Sequence, residues 1–128
     1  MSDTPALGRP AWVDLTVADA PRVRDFYCAV VGWKASGLDM GGYEDYNLAL
    51  PGGEPVAGVC HARGPNAGLP PVWMVYFTVR DLDTSLAAVA QGGGRVVAPP
   101  RSAGGGARYA VIEDPAGAVC ALFQPAAP

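Results

Sequence analysis

The sequence predicts an α+β fold: two tandem βαβββ modules whose mixed sheets curve into a cup. Three observations predict it. First, Trp12-Val13-Asp14-Leu15-Thr16-Val17-Ala18-Asp19 returns as Met74-Val75-Tyr76-Phe77-Thr78-Val79-Arg80-Asp81, and both copies end in Thr-Val-x-Asp. Second, each copy is followed by an apolar stripe of helical period. Third, Gly and Pro cluster between short periodic segments, as in Pro51-Gly52-Gly53, Gly92-Gly93-Gly94 and Gly104-Gly105-Gly106, which is the punctuation of strands and turns. Residues 1–128 then make a single domain, with module one over about 10–62, a linker over 63–72 and module two over about 73–125.

Each element has a local reason. Residues 1–10 read as a polar, proline-containing lead-in. In the first strand Val13, Leu15 and Val17 share one face, and Trp12, Asp14 and Thr16 the other. Asp19 is a helix N-cap, and Pro21 is tolerated in the first turn because its missing N–H has no helical partner there. Val23, Phe26, Tyr27, Val30 and Val31 form the stripe, and Gly32 ends the helix. Trp33 to Gly37 reads as a short strand, Tyr43 to Leu50 and Pro55 to His61 as two more. The second module repeats the order. It has a strand at 74–79, Asp81 as cap, and Leu82, Leu86, Val89 and Ala90 as stripe. A short strand at 95–98, a loop at 99–106, and strands at 107–113 and 118–124 around Asp114-Pro115-Ala116-Gly117 complete it.

The totals bound the function. Half of the residues are hydrophobic, 16% are charged and the net charge is −3. That describes a globular chain with no electrostatic reason to bind nucleic acid. No apolar run approaches the roughly 20 residues that span a bilayer, and Met1 to Pro10 lacks the apolar centre of a signal peptide. The expected location is cytoplasmic. Cys28, Cys60 and Cys120 form no C-x-x-C pair, and the odd count argues against a disulfide framework.

The order of Val17-x-Asp19, Phe26-Tyr27, Gly32-Trp33, Thr78-Val79-x-Asp81 and Asp114-Pro115-x-Gly117 resembles the vicinal oxygen chelate superfamily of glyoxalases, bleomycin-resistance proteins and extradiol dioxygenases, over roughly residues 11 to 124. The resemblance implies a cup that holds a ligand. In metal-using members it implies a metal ligand at the start of each first strand and near the middle of each last strand. Those places fall here on Trp12, Met74, Ala121 and either Ala57 or Val59. None is an imidazole, carboxylate or thiolate, so no metal and no cofactor is expected. The pattern is similar to the bleomycin-resistance branch, which binds its drug without metal.

The expected ligand-binding residues are Trp12, Asp14, Thr16, Asn47, His61, Met74, Tyr76, Arg108 and Phe123. Trp12, Met74, Tyr76 and Phe123 would give an apolar, aromatic wall, or, for Met74 and Phe123, plain core. Asp14 stands mid-strand, where an idle carboxylate is costly; it reads as a polar anchor, or as a salt-bridge partner of Arg108. His61, the only histidine, reads as a cup contact on the parity of Ala57 and Val59, or as a rim residue. Arg108 reaches the cup if Glu113 faces Ala118, Ala121 faces Ala110 and Phe123 faces Arg108; a slip of one residue reverses it. Otherwise it is a strand-end arginine in solvent. In strand 43–50, hydrophobicity turns Tyr46, Leu48 and Leu50 to the helix and Asp45 and Asn47 into the cup, given a bulge near Gly52-Gly53. A simple turn would do the reverse.

Together these residues predict a metal-independent protein that binds a partly aromatic or apolar small molecule, for sequestration or resistance, as a homodimer. The competing prediction is a metal-independent isomerase or lyase that uses Asp14, His61 or Arg108 in acid/base chemistry.

Overall fold

In the computed structural model, residues 7–127 are described; residues 1–6 of the expected lead-in lie outside them. The elements run β1 (Pro10–Val17), α1 (Ala20–Val31), β2 (Lys34–Asp39), β3 (Glu44–Ala49), β4 (Pro55–His61), a single 3-10 turn (Gly64–Asn66), β5 (Trp73–Thr78), α2 (Leu82–Gln91), β6 (Arg95–Gly104), β7 (Ala107–Glu113) and β8 (Val119–Gln124). This is the α+β order of two βαβββ modules. The chain divides into two compact units, one of Trp12–Trp73 and the other, among the described residues, of 74–127 with 7–11.

In the first unit β1 lies parallel to β4, β4 antiparallel to β3, and β3 antiparallel to β2. Asp19 accepts from the Arg22 N–H at the start of α1, and Gly32 closes the helix in the left-handed region at φ 86°. Only glycine takes that conformation without a steric cost. Ala20, Val23 and Tyr27 carry the helix onto Tyr46, Leu48, Ala57 and Val59. The predicted stripe is wider than the buried one, because Phe26 is 58% and Val30 63% exposed. Tyr27 anchors an aromatic group. Its hydroxyl accepts from the Trp73 indole at 3.1 Å, and its ring meets those of Trp73 and Trp33 at 4.9 and 6.4 Å.

Tyr46 and Leu48 turn to the helix, as hydrophobicity predicts, so Asp45 and Asn47 take the opposite face. Leu50 lies beyond β3 and is exposed rather than buried. The register shift falls between Leu48 and Ala49, not at Gly52-Gly53. A bulge inside the strand does the work expected of the turn.

In the second unit β5 lies parallel to β8, β8 antiparallel to β7, and β7 antiparallel to β6. Asp81 caps α2 through the Asp83 and Thr84 N–H groups, and the Gln124 side-chain oxygen takes the Leu82 N–H at 2.7 Å. Leu82, Leu86 and Val89 pack on Phe77, Ala110, Ile112 and Leu122. β6 runs on through Pro99-Pro100 to Gly104 instead of stopping at 98. Prolines are tolerated there because β6 pairs on one side with β7 and its register is already irregular. Gly105 and Gly106, both at positive φ, make the two-residue turn into β7.

Candidate functional site

Each helix covers one face of its sheet, which leaves the opposite face of each module as the candidate surface. In the first module β1 contributes Trp12, Asp14 and Thr16 to that face, β3 Asp45 and Asn47, and β4 Gly58 and Cys60. Asp14 stands opposite Gly58, and Thr16 opposite Cys60. The Trp12 indole N–H donates to the Asp14 carboxylate at 2.5 Å. Gly58 is a close-approach glycine, since a Cβ there would collide with the Asp14 carboxylate and lie 3.5 Å from the Trp12 ring. Thr16 is buried, while Trp12, Asp14 and Asn47 are half-buried.

The Cys60 thiol is pushed far up from its ordinary range. Burial is the largest cause, followed by the Asp14 and Asp45 charges and a hydrogen bond to Asp45. A thiol that keeps its proton is no nucleophile. Asp45, 5% exposed, also accepts from the His61 backbone N–H at 2.9 Å and stands 3.2 Å from His61 Nδ1. These donors hold a buried carboxylate that would otherwise be expensive.

Ala57 and Val59 lie in the core under α1. His61 shares their strand parity, and its ring meets that of Tyr46 at 6.0 Å on the helix side. The expectation that these residues face away from the helix is therefore corrected. The parallel register of β4 on β1 gives that face to Gly58 and Cys60 instead.

In the second module the corresponding face carries Met74, Tyr76 and Thr78 from β5, Ala121 and Phe123 from β8, and Tyr109 and Val111 from β7. Tyr76 stands opposite Ala121, and Tyr109 opposite Phe123. The rings of Tyr76 and Tyr109 are 5.9 Å apart. Met74, Val111 and Ala121 are fully buried, whereas Tyr76, Tyr109 and Phe123 are half-buried.

Arg108 is a second correction. It lies opposite Gln124, not Phe123, and reaches Asp83 on α2 at 3.0 Å. The cause is the turn. Asp114 Oδ1 accepts from the Ala116 and Ala118 N–H groups, Gly117 is left-handed at φ 90°, and the Asp114 N–H bonds to the Ala118 carbonyl. This is a type I turn with a left-handed glycine after it, one residue longer than a simple four-residue turn. Glu113 consequently pairs with Val119 instead of Ala118, and every β7 side chain changes face. Tyr109, absent from the expected site, takes the place of Arg108. The Asp-Pro-x-Gly sequence carried that signal.

The metal-ligand places of the family can now be placed by register. Asp14 and Tyr76 are equivalent in the repeat, so Gly58, opposite Asp14, matches Ala121, opposite Tyr76. In the first module Trp12 and Gly58 offer an indole and no side chain, and in the second Met74 and Ala121 offer a thioether and a methyl group; none of these is a ligand that suits a divalent metal. Among the described residues no group of three or more His, Cys, Asp or Glu side chains is placed to hold a metal ion. Among the same residues no helix is long and apolar enough to cross a membrane.

Comparison with known proteins agrees with this architecture. The putative glyoxylase CFP32 of Mycobacterium bovis is 36% identical over 119 residues, which cover 91% of this chain and 46% of that protein. The anthracycline biosynthesis protein DnrV of Streptomyces peucetius is 34% identical over 131 residues, covering 93% of this chain and 48% of that protein. The chain thus spans about half the length of these relatives. Among solved structures, methylmalonyl-CoA epimerase from Mycobacterium tuberculosis superposes with a TM-score of 0.61 at 22% identity, over 99% of this chain and 94% of that one; this likeness is one of fold. The family model for the Glyoxalase/Bleomycin resistance protein/Dioxygenase superfamily matches residues 9–122, and the chain belongs to that superfamily.

Proposed function

We propose that the protein binds a planar, partly aromatic or apolar small molecule without a metal, for sequestration or resistance. The supporting observation is the wall of the second module, where Tyr76 and Tyr109 stand 5.9 Å apart beside Phe123 over buried Met74, Val111 and Ala121. Offset aromatic rings favour a flat partner. Covering about 100 Å2 of such a wall contributes about 2.5 kcal/mol before ordering costs. A flat fused-ring molecule also suits the name of the relative from anthracycline biosynthesis. Taken by itself, the corresponding face of the first module, with Trp12, Asp14, Thr16 and Asn47, offers polar contacts to a small molecule.

The isomerase or lyase reading has less support. Of its three groups, His61 and Arg108 lie on the helix sides of their sheets, which leaves Asp14 alone. Homodimer formation remains part of the proposal, motivated by the exposed Phe26, Val30, Val31, Leu38 and Met40 of the first module. Sedimentation at micromolar concentration should give the mass of a dimer, and a monomer would remove that part.

The test is a thermal-shift screen of flat aromatic compounds, anthracyclines included, followed by titration of the best hit. Tyr76→Ala and Tyr109→Ala should each weaken binding by about 1–3 kcal/mol. Unchanged affinity in both folded variants would reject this face as the site. Turnover of the hit by chelator-treated protein would replace the binding reading with an enzymatic one.

A further inference from the structure

The two modules fill the space between helix and sheet differently. Gly58 matches Ala121, so by register Val59 matches Leu122 and Leu48 matches Ile112. Ala35 lies opposite Leu48 and Val96 opposite Ile112, which makes Trp33 the counterpart of Gly94. Tyr27 and Val89 hold the same place after the capping Asp19 and Asp81. In the first module the Tyr27 and Trp33 rings, 6.4 Å apart, pack against the core of Leu48 and Val59. In the second module both rings are replaced by smaller groups. A cavity of about 380 Å3, open at the surface, lies over Ile112 and Leu122, and Val89 and Gly94 help to line it. No side chain at 94 could fill it, because a Cβ there would stand 2.6 Å from the Glu113 carbonyl oxygen and 3.0 Å from a Val89 methyl. A dry apolar cavity of about 150 Å3 already holds benzene, so this one admits a substituted ring.

Charge at the mouth selects the ring. Glu113 and Asp114 are the charged residues of the lining. Glu113 is answered by Arg95 at 3.0 Å. The Asp114 carboxylate accepts from the Ala116 and Ala118 N–H groups, and among the described residues it meets no Arg or Lys. The last turn of α2 carries no basic residue, so the partial negative charge at that helix end is unanswered too. The helix end and the 113–115 segment adjoin, since a Cβ at Gly94 would meet the Glu113 carbonyl and one at Gly93 would lie 3.9 Å from the Pro115 ring. We propose that this cavity, on the helix side of the second module, binds a small aromatic monocation. Its ring takes the place that Tyr27 and Trp33 fill in the first module, and its ammonium group points toward Asp114. The site is separate from the aromatic face across the sheet and does not rest on it.

Benzylamine, protonated at neutral pH, is the probe, and benzyl alcohol is the neutral comparator of the same size. Benzylamine should shift the NMR amide signals of Ser85, Val89, Gly94 and Asp114 saturably. The ring signals of Tyr76 and Tyr109, on the other face of the sheet, should stay in place. Benzyl alcohol should bind more weakly, by about threefold or more. Asp114→Asn keeps Oδ1 as the acceptor of the turn and removes the charge, so it should lower the affinity for benzylamine to that for benzyl alcohol. Val89→Tyr puts the first module's ring back and should abolish binding in protein that still folds. The proposal is overturned by unshifted amides at tens of millimolar benzylamine, by shifts centred on Tyr76 and Tyr109, by equal affinity for benzyl alcohol, or by full affinity in folded Val89→Tyr or Asp114→Asn.

Discussion

Replacing Gly58 by alanine adds one methyl group and should cost more than a methyl group suggests. Gly58 is buried in the middle of β4, opposite both Asp14 and Asn47. The new Cβ would occupy the place of the Asp14 carboxylate oxygen that accepts the Trp12 indole N–H. Asp14 is short, so it can escape only by rotating away from that donor. Losing a hydrogen bond to a charged group costs about 1.5–3 kcal/mol. Replacing glycine by alanine returns about 0.4–1 kcal/mol by restricting the unfolded chain. The net expectation is a loss of about 1–2 kcal/mol, a fall in Tm of roughly 3–10 °C for a chain of this size. The assay is urea and thermal unfolding of Gly58→Ala, Asp14→Ala and the double variant. With Asp14 removed the methyl group has room, so Gly58→Ala should become neutral or stabilising in that background. Gly58→Ala as stable as the parent, or equally damaging in both backgrounds, would refute the claim that this glycine exists to seat Asp14.

Further outcomes follow from the same geometry. Because burial and two carboxylates raise the Cys60 thiol in the folded state, its contribution to stability is intact below the ordinary thiol range and is lost as pH rises. Unfolding free energies from urea titrations should drop between pH 8 and pH 10 by up to about 1.4 kcal/mol per pH unit, and Cys60→Ala should flatten that slope; an unchanged slope contradicts it. Arg108→Ala should leave affinity for an aromatic ligand unchanged and cost at most about 1 kcal/mol, since its bond to Asp83 is exposed; a large affinity loss would return Arg108 to the site. Asp114→Ala removes the acceptor for the Ala116 and Ala118 N–H groups and should destabilise by about 1–2 kcal/mol, seen as a lower denaturation midpoint.

The parts of the fold that were legible are those written in adjacent residues. Asp19 and Asp81 cap the helices that they precede, and the repeated Thr-Val-x-Asp puts the same strand-to-helix junction in both modules. Gly32 stops α1 where a left-handed residue is needed. Facing, by contrast, depends on how one strand slides past another. A single residue in the 114–118 turn moved Arg108 to the helix side. The parallel register of β4 on β1 did the same to Ala57 and Val59. Parallel pairing has no hairpin to announce its register, so nothing local in 55–61 marks Gly58 as the partner of Asp14. Asp45 escaped notice as a hub for a related reason. Its partners Cys60 and His61 are adjacent to each other but distant from Asp45 in sequence, and only the end of the β3–β4 ladder brings them to it.

The exchange of Arg108 for Tyr109 changes the chemistry of the candidate surface as well as its composition. With Arg108 inward, the second module would offer a guanidinium, and an anionic ligand would be favoured there. With Tyr109 beside Tyr76 and Phe123, the same face offers three ring faces over a dry floor. Selection then rests on shape and apolar burial, which discriminate by about 0.8 kcal/mol per methylene rather than by charge. In a ligand library sorted by charge, neutral flat molecules should therefore bind best, and their affinity should depend on Tyr76 and Tyr109.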